Sequence, residues 1–342
     1  MNSKIDVIEN RLKDFTDSLP LGLFKGKLGV CLYLYNKAKE ETASELLNGI
    51  NGHLQSMKGD ISVSDGLSGV GLTVNYLVKK GYIKGNVDTA LQEIDDLIFK
   101  QLAFEKYSKS YDINQLLPIL YYLSIRWKLQ GKDNEAEYLF RELIKKTVND
   151  LYAHTDFQKI SEPLHYSLDY VIPQLFYVMG YVASLGFYRN RIEMIMRELS
   201  PLLFSIMPRI HANRLYLLTG VDYLLKKVLM GEEGIRYRNL LLRSIDVNYL
   251  LTEEIGCKSI YIENGVASLY FLLKAVKEYA GNRINYRNKI MQIIENSPEW
   301  NVLEGNNAYL RSHTGLYNGV CGVLWAYDMM VKDKKKEEEK DK

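Results

Sequence analysis

Two stretches near opposite ends of the chain carry the same glycine spacing: LGLFKGKLGVCLYLY at residues 21–35 and TGLYNGVCGVLWAYD at residues 314–328. Both read G-L-x-x-G-x-x-G-V and continue into an apolar run. When they are aligned on their middle glycines, Gly26 and Gly319, each has a first glycine four residues earlier and a last glycine three residues later. This shared motif indicates an internal repeat, which decides the fold class before any other feature of the sequence.

Five further copies of the motif lie between these two. Residues 62–77 and 261–276 keep a middle glycine, whereas residues 112–127, 167–182 and 214–227 are weaker copies with an apolar residue there. Successive middle positions are 40 to 55 residues apart, a loose but sustained period that indicates seven repeats. The seven middle positions are Gly26, Gly66, Leu116, Val171, Leu217, Gly265 and Gly319.

Amphipathic segments separate the motif copies. Their apolar residues recur at intervals of three and four, which is typical of helices with one solvated face. The segments after the motif glycines are more uniformly apolar, as expected of helices covered on both sides. Each repeat is therefore predicted to be an outer amphipathic helix followed by an inner buried helix. The clearest outer segments are residues 87–105, 134–150, 189–206 and 282–297.

The ends of the chain favour a closed ring over an open solenoid. Solenoids need terminal repeats with a polar outer face, but here the first and last copies are the best formed and remain apolar. We therefore predict an all-α fold, a closed α/α toroid of seven helical hairpins, as a single domain over residues 1–331. Residues 332–342 are all charged and are expected to be a solvated helix end or a disordered tail.

Composition excludes several classes of partner. The chain has 342 residues, 47% of them apolar, enough for a large packed core. Lys and Arg total 44 against 42 for Asp and Glu, so no nucleic-acid footprint is expected. We find no apolar run typical of a signal peptide or a membrane span. The cysteines Cys31, Cys257 and Cys321 are odd in number and far apart, which favours a reducing cytoplasm.

The G-L-x-x-G-x-x-G motif is complete in the first and last copies and weaker in the other five. Repeated in this way at the start of seven predicted inner helices, it resembles the lanthionine synthetase C-like (LanC-like) family, over roughly residues 1–332. These α/α toroids close thioether rings in ribosomally made peptides, with a zinc ion that activates a thiol. The resemblance implies a peptide or partner protein bound in the central cavity.

The catalytic motifs of that family are mostly replaced here. Asp112 matches the Asp of its third repeat, but Tyr170 stands where the fourth repeat carries an acid–base His. Leu215 stands at the zinc-binding Cys of the fifth repeat, and Glu263 and Asn264 at the Cys and His of the sixth. Because zinc prefers thiolate and imidazole ligands, we expect no metal, no other cofactor and no cyclase activity. The resemblance then implies a pseudoenzyme that acts as a peptide-binding scaffold in peptide modification.

Residues at the third and fourth motif positions are predicted to project into the mouth of the toroid. Their carboxylates have two interpretations. They cap free N–H groups at the helix N-termini, or two of them act as an acid–base pair, as in six-hairpin α/α-barrel glycosidases. For the second interpretation the pair is Glu263 with Asp112 or Asp169. The expected substrate-binding residues are Asp65, Tyr170, Tyr216, Asn264 and His313.

Two other residues are candidates for chemistry near this mouth. His165 lies five residues before Tyr170 and is a candidate to replace the family's lost His. Cys257 lies six residues before Glu263, but the sequence offers no partner Cys or His with ligand spacing. Cys31 and Cys321 follow the motif glycines and are predicted to be buried small apolar residues.

Overall fold

The computed structural model describes residues 2–15, 19–51, 59–104, 111–130, 135–255 and 259–339. Within these ranges there are seventeen α-helices and no strand, which confirms the all-α prediction. None of the helices in the described part is long and apolar enough to cross a membrane. The helices are α1 (Asn2–Phe15), α2 (Lys27–Asn36), α3 (Glu40–Asn51), α4 (Leu67–Lys79), α5 (Val87–Ala103), α6 (Ile113–Leu129), α7 (Glu135–His154), α8 (Val171–Ser184), α9 (Arg189–Leu203), α10 (His211–Leu225), α11 (Gly231–Arg243), α12 (Val247–Tyr249), α13 (Val266–Ala275), α14 (Arg283–Glu295), α15 (Glu299–Gly305), α16 (Asn307–Ser312) and α17 (Val320–Glu338).

Seven of these helices contain the apolar runs of the motif copies, and we call them the motif helices: α2, α4, α6, α8, α10, α13 and α17. Their apolar runs are mostly buried; in α2 every residue from Leu28 to Tyr35 is buried. Flanking helices bury one face, as in α9, where Ile192 and, one turn later, Ile195 and Met196 are buried. The flanking helices α3, α5, α7, α9, α11 and α14 each contact the motif helix that precedes them.

The motif helices contact one another in chain order, from α2 through α4, α6, α8, α10 and α13 to α17. The last of them, α17, also contacts the first, α2. The last glycine of a motif copy packs against the start of the preceding copy. A Cβ added to this glycine would lie within 3.2 Å of a side chain there. The contact is the same between consecutive copies and at the terminal junction, where the first copy meets the last. The three pairs are Gly69 with Leu23, Gly322 with Ile262, and Gly29 with Leu316.

Backbone hydrogen bonds join the loops that precede the motif helices, here called the motif loops. The N–H of Leu168 donates to the carbonyl of Glu263 (2.8 Å), and the N–H of Glu263 donates to that of Tyr317 (2.9 Å). The N–H of Tyr317 donates to Phe24 (3.1 Å), and the N–H of Phe24 donates to Ser64 (3.1 Å). The last four residues all lie two positions before a middle glycine. One repeated bond therefore links the first, second, sixth and seventh copies.

The first motif glycine is required by this close approach of neighbouring loops. A Cβ on Gly315 would lie 2.7 Å from Cα of Lys25, and a Cβ on Gly22 would lie 2.8 Å from the carbonyl oxygen of Ser64. Contacts this short with backbone atoms force a shift of one chain, since protein interiors are already close-packed. Glycine at the first position therefore allows the loops to come within hydrogen-bonding distance.

Two of the weak copies start their helices earlier than the motif alignment predicts. The alignment predicts that each helix starts after its middle position. Helix α6 instead begins at Ile113, three residues before the middle position Leu116, and α10 begins at His211, six residues before Leu217. At α6 the cause is a capping box, in which Asp112 accepts from the N–H of Gln115 and the Gln115 side chain accepts from the N–H of Asp112. Side-chain capping thus sets the start of α6, where the motif glycines are missing.

The charged C-terminal residues continue α17 as far as Glu338, past the expected start of the tail at residue 332. Asp333 pairs with Lys274 on α13, and Glu337 pairs with Arg287 on α14. Since these two acids are four residues apart, they lie on one face of the helix. The part of the tail that the structure describes is therefore docked on the preceding repeat.

Replacing Gly315 with alanine should destabilise the protein, because the new Cβ would collide with the carbonyl oxygen of Phe24 and with Cα of Lys25. We expect the free energy of unfolding, measured by urea denaturation, to fall by about 1–3 kcal/mol, the usual cost of overpacking. The matched control is Gly305→Ala in α15, where an added Cβ meets nothing within 4 Å. This control should leave stability unchanged or slightly higher. Equal effects of the two substitutions would contradict the close approach of the terminal copies.

Candidate functional site

A cavity of about 580 Å³ lies at the N-terminal ends of the motif helices, between the motif loops. It is lined by loops from the first, second, fourth, sixth and seventh copies and by side chains from the first two turns of α6, α8 and α10. Its lining residues are Phe24, Lys25, Ser62, Val63, Ser64, Asp65, Asn114, Gln115, Pro118, Leu168, Asp169, Gln174, Tyr216, Glu263 and Tyr317.

The cavity carries a surplus of negative charge. Among its lining residues, Asp65, Asp169 and Glu263 are carboxylates and Lys25 is a cation. These four residues come from four different motif loops, of the second, fourth, sixth and first copies respectively. The lining therefore favours a cationic group in a ligand.

Asp169, Glu263 and Tyr317 form the centre of the site. The hydroxyl of Tyr317 donates to Oδ1 of Asp169 (2.8 Å). Burial raises the pKa of the Tyr317 phenol, and the negative charge of Asp169 raises it further, so that the phenol remains a donor. Burial also raises the pKa of Glu263, as does the charge of Asp169, while the Lys25 ammonium acts in the opposite direction. The two acids are thus distinguished by their surroundings, since Asp169 accepts a phenol hydrogen bond and Glu263 is held toward its neutral form.

Aromatic side chains form part of the cavity wall. The hydroxyl of Tyr216 donates to the carbonyl of Leu168 (3.3 Å). Burial is the main cause that raises the pKa of Tyr216. The ring of Phe24 stacks on that of Tyr317, with centroids 4.6 Å apart and an interplanar angle of 25°. These rings give the cavity rigid apolar surface beside its carboxylates.

A second cavity of about 330 Å³ adjoins the first, and Glu263 lines both. Asn264 and His313, two of the expected substrate-binding residues, lie in this second cavity. Oδ1 of Asn264 accepts from the hydroxyl of Ser259 (2.7 Å), and the ring of His313 stacks on Tyr309 with centroids 4.1 Å apart. Of the expected substrate-binding residues, Asp65 and Tyr216 therefore line the first cavity and these two the second.

Three other candidates do not line either cavity. Asp112 is exposed, and its side chain caps α6 through the N–H of Gln115 (3.0 Å). His165 is exposed. Tyr170 is 2% exposed, forms the N-cap position of α8, and has a pKa raised by burial. Helix capping therefore explains the Asp112 side chain. Of the two partners predicted for Glu263 in an acid–base pair, only Asp169 lies in the cavity with it.

Several lining residues were not among the sequence candidates, and the motif itself holds the signal that finds them. Phe24 and Tyr317 occupy the same position, two residues before the middle glycine, as Glu263 does in its copy. Lys25 lies at the next position, equivalent to Asn264. Reading the third and fourth motif positions in the first and last copies as well would have identified all three.

The positions equivalent to the zinc ligands of LanC-like proteins do not fit that metal. Leu215 is apolar and completely buried. Asn264 contributes an amide in the second cavity and Glu263 a single carboxylate, neither of which is a soft zinc ligand. In the described ranges, no group of three or more His, Cys, Asp or Glu side chains is arranged to hold a metal ion. Cys257 lies outside the described residues.

Comparison with known proteins identifies no family for this chain. No family model matches it, and no curated protein or solved structure matches it significantly. The resemblance to LanC-like proteins therefore rests on the motif residues alone.

The charges around Glu263 give a testable titration. Replacing Asp169 with asparagine should lower the pKa of Glu263, because a like charge is removed. Replacing Lys25 with methionine should raise that pKa, because an attractive cation is lost. The measurement is a ¹³C NMR titration of the glutamate side-chain carboxyl carbons, with the Glu263→Gln spectrum as the assignment control.

The same shift has a consequence for stability. Since the folded-state pKa of Glu263 is raised, ionisation of this residue opposes folding as the pH rises above the ordinary glutamate pKa of about 4.3. Glu263→Gln should thus increase stability near pH 7 relative to the native protein, and the difference should disappear in more acidic solution.

For the titration itself, a Glu263 pKa that neither Asp169→Asn nor Lys25→Met alters would contradict the proposed proximity of the three groups.

Proposed function

We propose that this chain is a LanC-like protein that binds a peptide in the 580 Å³ cavity and lacks the zinc-dependent cyclase activity of that family. The observation that carries the proposal is the convergence of charged side chains from four separate motif loops on one cavity. Convergent polar groups in a concave site are the usual mark of ligand binding. The four are Lys25, Asp65, Asp169 and Glu263.

The proposal includes a closed α/α toroid of seven hairpins. It is supported by the series of contacts between motif helices, which returns from α17 to α2. The packing of Gly29 against Leu316, at the terminal junction, resembles that of Gly69 against Leu23 within the chain. In such a ring the first and last repeats are neighbours, and neither needs a polar capping face.

The chemistry of the lining suits a peptide. Amide side chains from Asn114, Gln115 and Gln174 line the same cavity as the carboxylates, and amides both donate to and accept from a peptide backbone. A volume of about 580 Å³ is within the range of small-ligand sites, so it accommodates a few residues of a longer chain. We infer a scaffold or adaptor that holds a peptide, with the reducing cytoplasm suggested by the cysteines as its expected compartment.

The absence of cyclase activity follows from the donor groups at the family's zinc positions. A leucine, an amide and one carboxylate cannot supply the thiolate and imidazole ligands that zinc prefers. Without that metal the usual means of lowering a substrate thiol's pKa is missing.

We expect purified protein to contain no stoichiometric zinc after dialysis against a mild chelator. The physical reason is the donor set at Leu215, Glu263 and Asn264. Inductively coupled plasma mass spectrometry measures the metal content, and a purified zinc enzyme taken through the same dialysis is the control for metal loss. Tightly bound zinc at one ion per chain would overturn this part of the proposal.

Peptide binding can be tested with a displayed library of random dodecapeptides selected against the immobilised full chain. We expect enriched sequences that bind at least about tenfold more weakly to the triple variant Asp65→Asn, Asp169→Asn, Glu263→Gln, because the cavity then loses its negative charge. Asp112→Asn is the matched control, since Asp112 does not line the cavity. Peptide binding in this cavity would be refuted if no sequence enriched, or if the enriched sequences bound the triple variant as tightly as the native chain.

A second candidate function is a metal-free enzyme that uses Glu263 and Asp169 as an acid–base pair, as glycosidases do. The observation in its favour is the different environment of the two acids, because burial raises the pKa of Glu263 and Tyr317 hydrogen-bonds Asp169. A general acid needs a pKa near its working pH. The titration of Glu263 tests this candidate as well, since an ordinary glutamate pKa in the native protein would remove its basis.

A further inference from the structure

An apolar pocket of about 280 Å³ adjoins the acidic cavity. Its walls come from the first, sixth and seventh copies, and they are almost entirely hydrocarbon and aromatic surface. The lining residues are Phe24, Ile262, Phe271, Leu316, Tyr317, Gly322, Trp325, Ala326 and Met329.

The stacked rings of Phe24 and Tyr317 separate the two spaces, because both residues line the acidic cavity and the apolar pocket. The hydroxyl of Tyr317 is directed to Asp169 on the acidic side. The two compartments thus share one wall, with carboxylates on one side of it and apolar side chains on the other.

The apolar pocket is accessible rather than filled. Phe271, Trp325 and Met329 are each only partly buried, although they lie on α13 and on the apolar first half of α17, where most residues are buried. The ring of Trp325 contacts Tyr76 on α4, with centroids 6.0 Å apart and an edge-to-face arrangement. Partly exposed apolar surface in a concave site gains free energy when a ligand removes it from water.

On this basis, and resting on the peptide binding proposed above, we propose that the bound peptide carries a basic residue next to a large apolar residue. The apolar side chain occupies the 280 Å³ pocket, and the Lys or Arg side chain faces Asp65, Asp169 and Glu263. Because the compartments share the Phe24–Tyr317 wall, the proposal places the two residues next to each other or one residue apart in the peptide, whose successive Cα atoms are about 3.8 Å apart. Charge complementarity directs the basic residue of the peptide to the acidic cavity and leaves the apolar pocket for its neighbour.

The test uses the random dodecapeptide library on the native chain and on two pocket variants. Ala326→Phe fills the apolar pocket, with Ala326→Ser as its size-matched control. Met329→Glu is a second variant at a partly exposed position, in case Ala326→Phe does not fold; it places a carboxylate in the pocket. Circular dichroism and thermal melting establish that each variant is folded before selection.

On the native chain we expect Leu, Ile, Met, Phe or Trp within two positions of Lys or Arg to be enriched about tenfold over the starting library, the usual discrimination of an apolar pocket. Ala326→Phe should keep the basic residue and lose the apolar one, whereas Ala326→Ser should keep both. Met329→Glu should replace the apolar residue with a second basic one.

The outcomes separate this inference from the peptide binding on which it rests. If no sequence enriches on the native chain, peptide binding itself is refuted, and this inference with it. If basic peptides enrich without an apolar neighbour, or if apolar enrichment persists unchanged in folded Ala326→Phe and Met329→Glu, the acidic cavity binds peptides but the apolar pocket takes no part.

Discussion

The backbone hydrogen bonds between motif loops hold the N-terminal ends of the motif helices close together. Three of these bonds join residues two positions before a middle glycine, as in the donation from Tyr317 to Phe24 and from Phe24 to Ser64. At the first and last copies the loops could not approach this closely if Gly22 or Gly315 carried a Cβ, as the short contacts there make clear. The sixth copy makes the same bond with Tyr261 at this position. Glycine is therefore a packing requirement at the two terminal copies, whose helices α2 and α17 are in contact.

This constraint also produces the candidate site. Because each linked residue presents its backbone to the neighbouring loops, the side chains at the same and adjacent positions are brought to two adjoining cavities. The backbone pattern repeats while the side chains differ, so that Phe24, Ser64, Glu263 and Tyr317 occupy one motif position with four chemistries. A repeated scaffold thus carries an asymmetric site, acidic on one side of the Phe24–Tyr317 stack and apolar on the other.

The strong motif copies made the fold largely predictable, whereas the weak copies did not. Spacing of glycines and apolar residues located the helices that follow Gly26, Gly66, Gly265 and Gly319, and the segments between copies had the predicted amphipathic faces. The start of α6 was misplaced because a capping box, formed by Asp112 with Gln115, replaces the glycines there. The same bond removes Asp112 from the candidate acid–base pair, since its carboxylate is engaged at its own helix.

The sequence by itself determined the helical repeat, the match between the chain's two ends, and the absence of thiolate and imidazole at Leu215, Glu263 and Asn264. These are properties of residue identity and spacing, which do not depend on how the repeats pack. Only the tertiary structure decided that Asp169 meets Tyr317, 148 residues along the chain, and that an apolar pocket lies behind that tyrosine. Such contacts depend on which loops approach one another and on the direction of each side chain, and no local pattern carries that information.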